Sequence, residues 1–433
     1  MLLNIALFVL FKVLIDYTFV AAVSPLYAYA GFSTDINSFK LTLSYFVLVT
    51  LALLLPRRTR NSSDFALLIL FVFIVIPILS LWGLQNESSS FALIVAASFV
   101  MLQLLMKLHF THASVRDLRG GSRAYLVVAL TFLGLLFLVL ILRGGLQYLN
   151  LSFIKVYEIR SIITDEVLGG GLAYLWIWGG KSFLVVLMVV SLWRRKYFSF
   201  SICVALEVFL YALTTHKELL FYPLIIIAVY MVSIMRVNLI RVTLLGLSGI
   251  LISAVLLDRA TSNHLFLGVL VFRLFDVIGF NHFAYYHFFQ DHPYVAFSNS
   301  FLSHFSEYPY NEPVPLLIGA GRYGLGSDAF VNAGYIASGY MQLGAAGIFL
   351  YTAILAMILK LFDLLTHDRM PLWAGTGIAA VSIFQLVNAD LTTSLLTHGI
   401  ALNLLGVWLI GSRHRNQMDA RTANEAHSDP AFG

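Results

Sequence analysis

The sequence predicts an all-α integral membrane protein of about twelve transmembrane helices, with a large polar insert between the ninth and the tenth. Three observations predict it. Of 433 residues, 60% are hydrophobic and only 11% charged, where an ordinary soluble domain carries about 25% charged residues; the mean hydropathy is +0.86. Apolar runs of about 20 residues, long enough to cross a bilayer core as a helix, recur along the chain. The connections between them alternate between basic and nearly free of Lys and Arg.

The runs lie near 2–22, 39–55, 64–84, 91–110, 123–142, 172–192, 198–215, 219–235, 242–257, 334–359, 372–389 and 395–411. The first has no basic leader or cleavage signal and reads as an uncleaved span. Lys12 and Asp16 interrupt it, four residues apart on one helical face, where they neutralise each other. Basic connections carry Arg57, Arg58 and Arg60, then Arg116, Arg119 and Arg123, then Arg194, Arg195 and Lys196. Arg236 and Arg241, Lys360 and Arg369, and Arg413 and Arg415 complete the series. All fall on one side if the amino terminus is inside, so the positive-inside rule puts both termini in the cytoplasm. The excess of basic residues (formal charge +5) is explained by topology and does not point to nucleic acid. Cys203 is the single cysteine, which excludes an internal disulfide and cysteine metal sites.

The segments are nine spans in 1–257, with a loop near 143–171, then a large loop at 258–333, three spans in 334–411 and a polar tail at 412–433, one membrane domain in all. Both loops lie outside the cytoplasm, which in a bacterial inner membrane is the periplasm. That compartment offers no ATP and no nucleotide sugars, so an activated substrate arrives there already attached to a lipid.

The 258–333 stretch holds Arg259, Arg273 and Arg322, five of the 12 histidines, and many Phe and Tyr. Gly319-Ala-Gly321-Arg322-Tyr-Gly324 fits a dinucleotide pattern, but that pattern needs a preceding strand and a following helix in a βαβ unit. The glycines are expected instead to make tight turns that bring Arg322 to a ligand. His282, His287 and His292 are five apart, which on a helix turns successive side chains about 140° from one another; no metal site is expected. Asp165-Glu166 reads as a solvated acidic pair.

Arg273 lies in the apolar stretch Val271-Phe-Arg273-Leu-Phe-Asp276. It either pairs with Asp276 on a segment lying along the bilayer or clamps an anion, since guanidinium matches phosphate oxygens bidentately. Lys217, in Thr214-Thr215-His216-Lys217-Glu218, faces the same compartment as Arg143, Lys155, Arg160, Arg259, Arg273 and Arg322. It either snorkels or serves an anionic ligand. Glu207 and Glu218 lie about three turns apart, with Tyr211 and Thr214 between, a stripe that points into the bundle. Tyr285, Tyr286, Phe288, Phe289, Tyr294, Phe297, Tyr308 and Tyr310 can stack on sugars or on each other.

Three stretches together resemble the bacterial O-antigen polymerase (Wzy-type) family, which joins lipid-linked oligosaccharide repeat units. They are His216-Lys217-Glu218-Leu-Leu-Phe-Tyr-Pro-Leu, Val271-Phe-Arg273-Leu-Phe-Asp276, and Asp328-Ala-Phe-Val-Asn332 running on to Gly344-Ala-Ala-Gly347. The last is also similar to the O-antigen ligase motif, where His-Asn precedes a Gly-x-x-Gly helix start; Val331 stands where the ligase histidine would be, which favours polymerase over ligase. The resemblance implies a GT-C-like bundle performing metal-independent glycosyl transfer without a cofactor. A chain on undecaprenyl pyrophosphate is the donor, a single lipid-linked repeat the acceptor, and a chain-length regulator in the membrane a partner. The leaving pyrophosphate needs preorganised cations, for which Arg273, Lys217, Arg322 and Arg160 are the candidates. Asp328, His304 and Glu307 are candidate bases for the acceptor hydroxyl, with Asn332, Tyr308 and Tyr310 as sugar contacts. A lipid-linked oligosaccharide flippase or transporter is the alternative from another class, but no internal repeat of the kind transporters often carry is evident.

Overall fold

Inside a bilayer every backbone N–H and C=O must find a partner without water, and runs of Leu, Ile, Val and Phe meet that demand locally as helices. The computed structural model describes residues 1–108, 115–151, 163, 167–168, 172–300, 303–323 and 330–412, without the side chains of 173, 305, 322 and 323. All regular structure among the described residues is helical. Among these residues ten helices are long and apolar enough to cross a membrane: Leu2–Ala30, Ser62–Leu84, Ser89–Lys107, Gly121–Leu142, Tyr174–Trp193, Tyr197–Thr214, Leu239–Thr261, Leu265–Asp291, Tyr335–Thr366 and Leu391–Ile410. Ser38–Leu54, Glu218–Ile234 and Leu372–Val387 are shorter apolar helices. The chain is therefore a multi-pass membrane protein. Each run read from the sequence has its helix here, and the addition is Leu265–Asp291, inside the polar insert.

Ser62–Leu84 is apolar on every side and buried throughout, as a central helix must be. Leu372–Phe384 packs along its first half, and Tyr335–Thr366 packs along Ser89–Lys107. Gly121–Leu142 and Leu239–Thr261 bury only a third or less of their apolar windows, and leave Val127, Leu130, Leu245 and Leu256 exposed, the surface that faces lipid. Lys12 and Asp16 do neutralise each other: Lys12 Nζ lies 2.7 Å from Asp16 Oδ2, the lysine is fully buried, and the Tyr45 hydroxyl donates to the same oxygen at 2.6 Å.

Several helices widen into π-helical turns, at Phe19–Val23, Phe71–Val75, Gly179–Leu184 and Gly268–Asp276. Such turns are rare and concentrate at functional sites. The first two pack against the last, and the third carries Lys181.

The insert is a folded unit around Leu265–Asp291. Near the start of this helix, Phe272 stacks on Tyr27 at 3.9 Å, in the last turns of the Leu2–Ala30 helix; near its finish, His287 Nε2 lies 2.6 Å from Glu87 Oε2 in the connection after Leu84. The chain then turns back over the Tyr335–Thr366 helix, which breaks at Leu343 and Gly344. The break leaves carbonyls that the loop fills: Val295 N donates to Met341 O at 2.9 Å, Ala296 N to Gln342 O at 3.0 Å, and Phe297 N to Gln342 Oε1 at 2.6 Å. Ala296 and Phe297 are held at positive φ by these bonds. The expected turns at the glycine motif are corrected: Gly319 and Gly321 lie inside the helix Val314–Tyr323, because nothing in Leu316–Ile318 interrupts a helix begun after Pro313, and glycine is tolerated within it.

Candidate functional site

Charged groups buried in an apolar bundle are costly unless paired, so their location marks where function resides. One such group, among the described residues, is centred on Lys181, which lies in the π-helical turn Gly179–Leu184 and is 4% exposed. Its ammonium lies 2.7 Å from Glu218 Oε1 and donates to Gln385 Oε1 at 2.9 Å. Gln385 Nε2 donates to the Tyr222 hydroxyl at 2.6 Å. Asn403 Nδ2 donates to the Lys181 carbonyl at 3.1 Å and to Ser382 Oγ at 2.8 Å. Below Gly180 sits Glu207, fully buried, with neither oxygen hydrogen-bonded among the described residues.

Above Lys181 the site opens. The Glu218 side chain is 35% exposed, although it shares an ion pair with a lysine that is almost wholly enclosed. His216 and Lys217 beside it are half-buried, and the His216 ring packs on Trp176 with centroids 4.1 Å apart. The Glu207 stripe does face inward: Glu207, Tyr211 and Thr214 are all buried. It is corrected in one respect. Thr215 takes a left-handed conformation (φ 59) that ends the Tyr197–Thr214 helix, so Glu218 begins the next helix and meets the stripe through the tertiary fold.

A second buried group lies beneath the insert. Asp276 is 2% exposed and its Oδ2 has no hydrogen bond among the described residues. Arg273, one turn earlier, is exposed and within electrostatic reach of Tyr27.

The remaining residues singled out from the sequence divide as follows. Arg160 and Asp328 lie outside the described residues, as does Lys155, and of Arg322 only its place in the Val314–Tyr323 helix is described. Asn332, Tyr308 and Tyr310 gather around the insert helix. Asn281 Nδ2 donates to the Asn332 carbonyl at 2.8 Å, and the Asn332 side chain is exposed. The Tyr308 hydroxyl donates to Glu312 O and accepts from Val314 N, both at 3.1 Å, and the Tyr310 hydroxyl donates to Pro293 O at 2.5 Å. Burial pushes the Tyr310 phenol up to about 12, with Tyr308 adding to it, and raises Tyr308 as well; both remain protonated donors that brace the loop, leaving ring faces for contact. His304 and Glu307 are exposed. Each of the three histidines has its own neighbour: His282 Nδ1 lies 2.6 Å from Ile278 O, His287 meets Glu87, and His292 stacks on Phe288.

Lys217 precedes the Glu218–Ile234 helix and Arg273 lies in the insert helix, so these two cations belong to different elements. The residue that sequence reasoning missed is Lys181. Its signal was available: a lysine after Gly179-Gly180 in the middle of an apolar run is an intramembrane charge of the kind that marks function by default. A recess of about 300 Å³ lies elsewhere, among the basic connections, lined by Arg60, Ser62, Asp363, His367 and Asp368; it includes none of the candidate residues.

Comparison with protein-family models, curated proteins and solved structures finds no significant match to this chain.

Proposed function

We propose that this chain is a glycosyl transferase of a bacterial inner membrane that joins undecaprenyl-pyrophosphate-linked oligosaccharide repeats at its outer face, the activity its resemblance to O-antigen polymerases implies. In this reading twelve helices span, both termini are cytoplasmic, and Leu265–Asp291 lies within the outer insert. The observation that carries it is the placement of Arg273: an exposed side chain in the apolar stretch 271–275, in the polar insert and within electrostatic reach of Tyr27. Guanidinium is weakly hydrated and offers paired donors to phosphate oxygens, so a lipid pyrophosphate held in the bilayer surface meets it directly. Lys217, next to Glu218, supplies a second cation, and Arg322 and Arg160 complete the proposed set. Charge that develops on the leaving pyrophosphate is stabilised by such fixed cations, and the aromatic faces around Tyr308 and Tyr310 give the glycan a surface.

The test is elongation of lipid-linked repeats by purified protein in detergent. Arg273→Ala is expected to abolish long products while protein yield is unchanged, with Arg273→Lys retaining part of the activity. Normal ladders from Arg273→Ala remove this residue from the mechanism. A flippase is the second reading, favoured by the helix broken at Gly344 and by the buried Lys181 network, features common in transporters. Turnover that needs sealed vesicles supports that reading instead.

A further inference from the structure

We infer that Glu218 takes the proton from the acceptor hydroxyl and that Lys181 is its positioning residue, an assignment that rests on the glycosyl-transfer reading above. The reaction needs a carboxylate or imidazole within hydrogen-bond reach of the attacking oxygen, fixed in place and open on one side. His304 and Glu307 are exposed. Glu218 meets both conditions. One of its oxygens is 2.7 Å from an ammonium that is itself oriented by Gln385, which is tied in turn to Tyr222. Three helices therefore converge to hold this carboxylate, and its side chain is still 35% exposed. Lys217, the preceding residue, places a cation beside it, and Trp176 and His216 form an adjacent ring surface.

In the step, the acceptor hydroxyl oxygen bonds to the anomeric carbon of the donor glycan as the bond from that carbon to the pyrophosphate oxygen breaks. The bonding pair leaves on the lipid pyrophosphate. The hydroxyl proton passes to the Glu218 carboxylate and from there to water. The chain is now carried by the acceptor's lipid.

Removing only Glu218 strands a buried ammonium, so Glu218→Gln is paired with the double variant Lys181→Met/Glu218→Gln, which neutralises both partners. Each is assayed in detergent with lipid-linked repeats. A general base contributes about 10²–10⁴-fold, and both variants are expected to lose turnover in that range with the acceptor KM within about twofold of wild type. Lys181→Met is expected to lower kcat and not KM. If the double variant folds and works at the wild-type rate, the pair is structural and the assignment fails, while the glycosyl-transfer reading stands. If wild-type protein does not elongate the repeats at all, that reading falls and this one with it.

Discussion

Gly347 packs so closely on the backbone of Gly339 that a Cβ on Gly347 would stand 2.0 Å from the Gly339 carbonyl oxygen. The contact folds the two halves of the broken Tyr335–Thr366 helix against each other, with Gly344 (φ 61, ψ -143) at the break. A Cβ on Gly344 would stand 2.7 Å from the Tyr294 hydroxyl, the far end of a side chain that can move, whereas the Gly339 carbonyl is fixed in a helix. Gly347→Ala is therefore expected to be the worse substitution. Overpacking of this kind costs about 1–3 kcal/mol or more, and a non-glycine residue at the Gly344 backbone angles costs about 1–3 kcal/mol. Melting temperatures in detergent check the order; equal melting of Gly347→Ala and wild type would show that the two halves are not in contact.

The run 334–359 was legible and has its helix at Tyr335–Thr366, but the break at Leu343 and Gly344 inside it was not read from the sequence. The break rests on a positive φ at Gly344 and a close approach of Gly347 to Gly339, contacts that form only in the fold, whereas the length of the run is visible in the letters. The helical runs were legible for a similar reason, since about 20 apolar residues in succession have few other uses. The Lys181–Glu218 pair was not legible. Its partners sit on helices with Tyr197–Thr214 between them, and a left-handed Thr215 separates Glu218 from the helix that carries Glu207. The Leu265–Asp291 helix was hidden because Arg273, Asp276 and its histidines dilute an apolar face that packs on the first and third spans.

The Lys12–Asp16 pair gives a stability prediction of known sign. Asp16→Asn leaves a fully buried ammonium without its counter-charge, and breaking a buried pair costs about 3–5 kcal/mol. Lys12→Met/Asp16→Asn removes both charges, and Tyr45 retains an oxygen to donate to, 2.6 Å away in the wild type. The double variant is expected to melt above the Asp16→Asn single variant. A double variant as unstable as the single one would mean that the cost arises from packing and not from the stranded charge.

Arg369 closes the other end of the bundle. It is 1% exposed, donates to Trp408 O at 3.0 Å and Gly411 O at 2.8 Å, and meets Asp117 at 3.2 Å. Those carbonyls belong to the last turn of the Ile400–Ile410 helix and the residue after it, where the helix offers them no donor. Arg369→Ala leaves them buried and unmet, about 1–3 kcal/mol each. Asp117 is 35% exposed, so Asp117→Asn is expected to cost about 0–1 kcal/mol. Thermal melting of the two variants checks the difference, and a reversal would place the main restraint on the ion pair.

The path of the Leu265–Asp291 helix decides which side of the membrane the insert occupies. The helix is long and apolar enough to cross, and if it crossed, the segment 292–334 would lie on the side opposite His264. Its contacts argue otherwise. His264 Nδ1 is 2.7 Å from Asp258 at the end of Leu239–Thr261, Phe272 stacks on Tyr27, Phe280 packs on Phe32, and His287 meets Glu87. Tyr27 lies near the end of the first span, Phe32 just beyond it and Glu87 in the connection after Leu84, all away from the basic connections, which is the arrangement expected of a helix that enters and leaves at one end. Cys203 is the single cysteine and is buried, which leaves the wild-type chain nearly silent to a membrane-impermeant maleimide. Asn263→Cys and Asp291→Cys, both exposed positions, are expected to label in intact spheroplasts, whereas Arg58→Cys and Arg119→Cys label only after permeabilisation. Labelling of Asn263→Cys and Asp291→Cys from opposite sides would make the helix a true span, move the insert to the cytoplasm, and remove Arg322, Tyr308 and Tyr310 from any chemistry on the outer face.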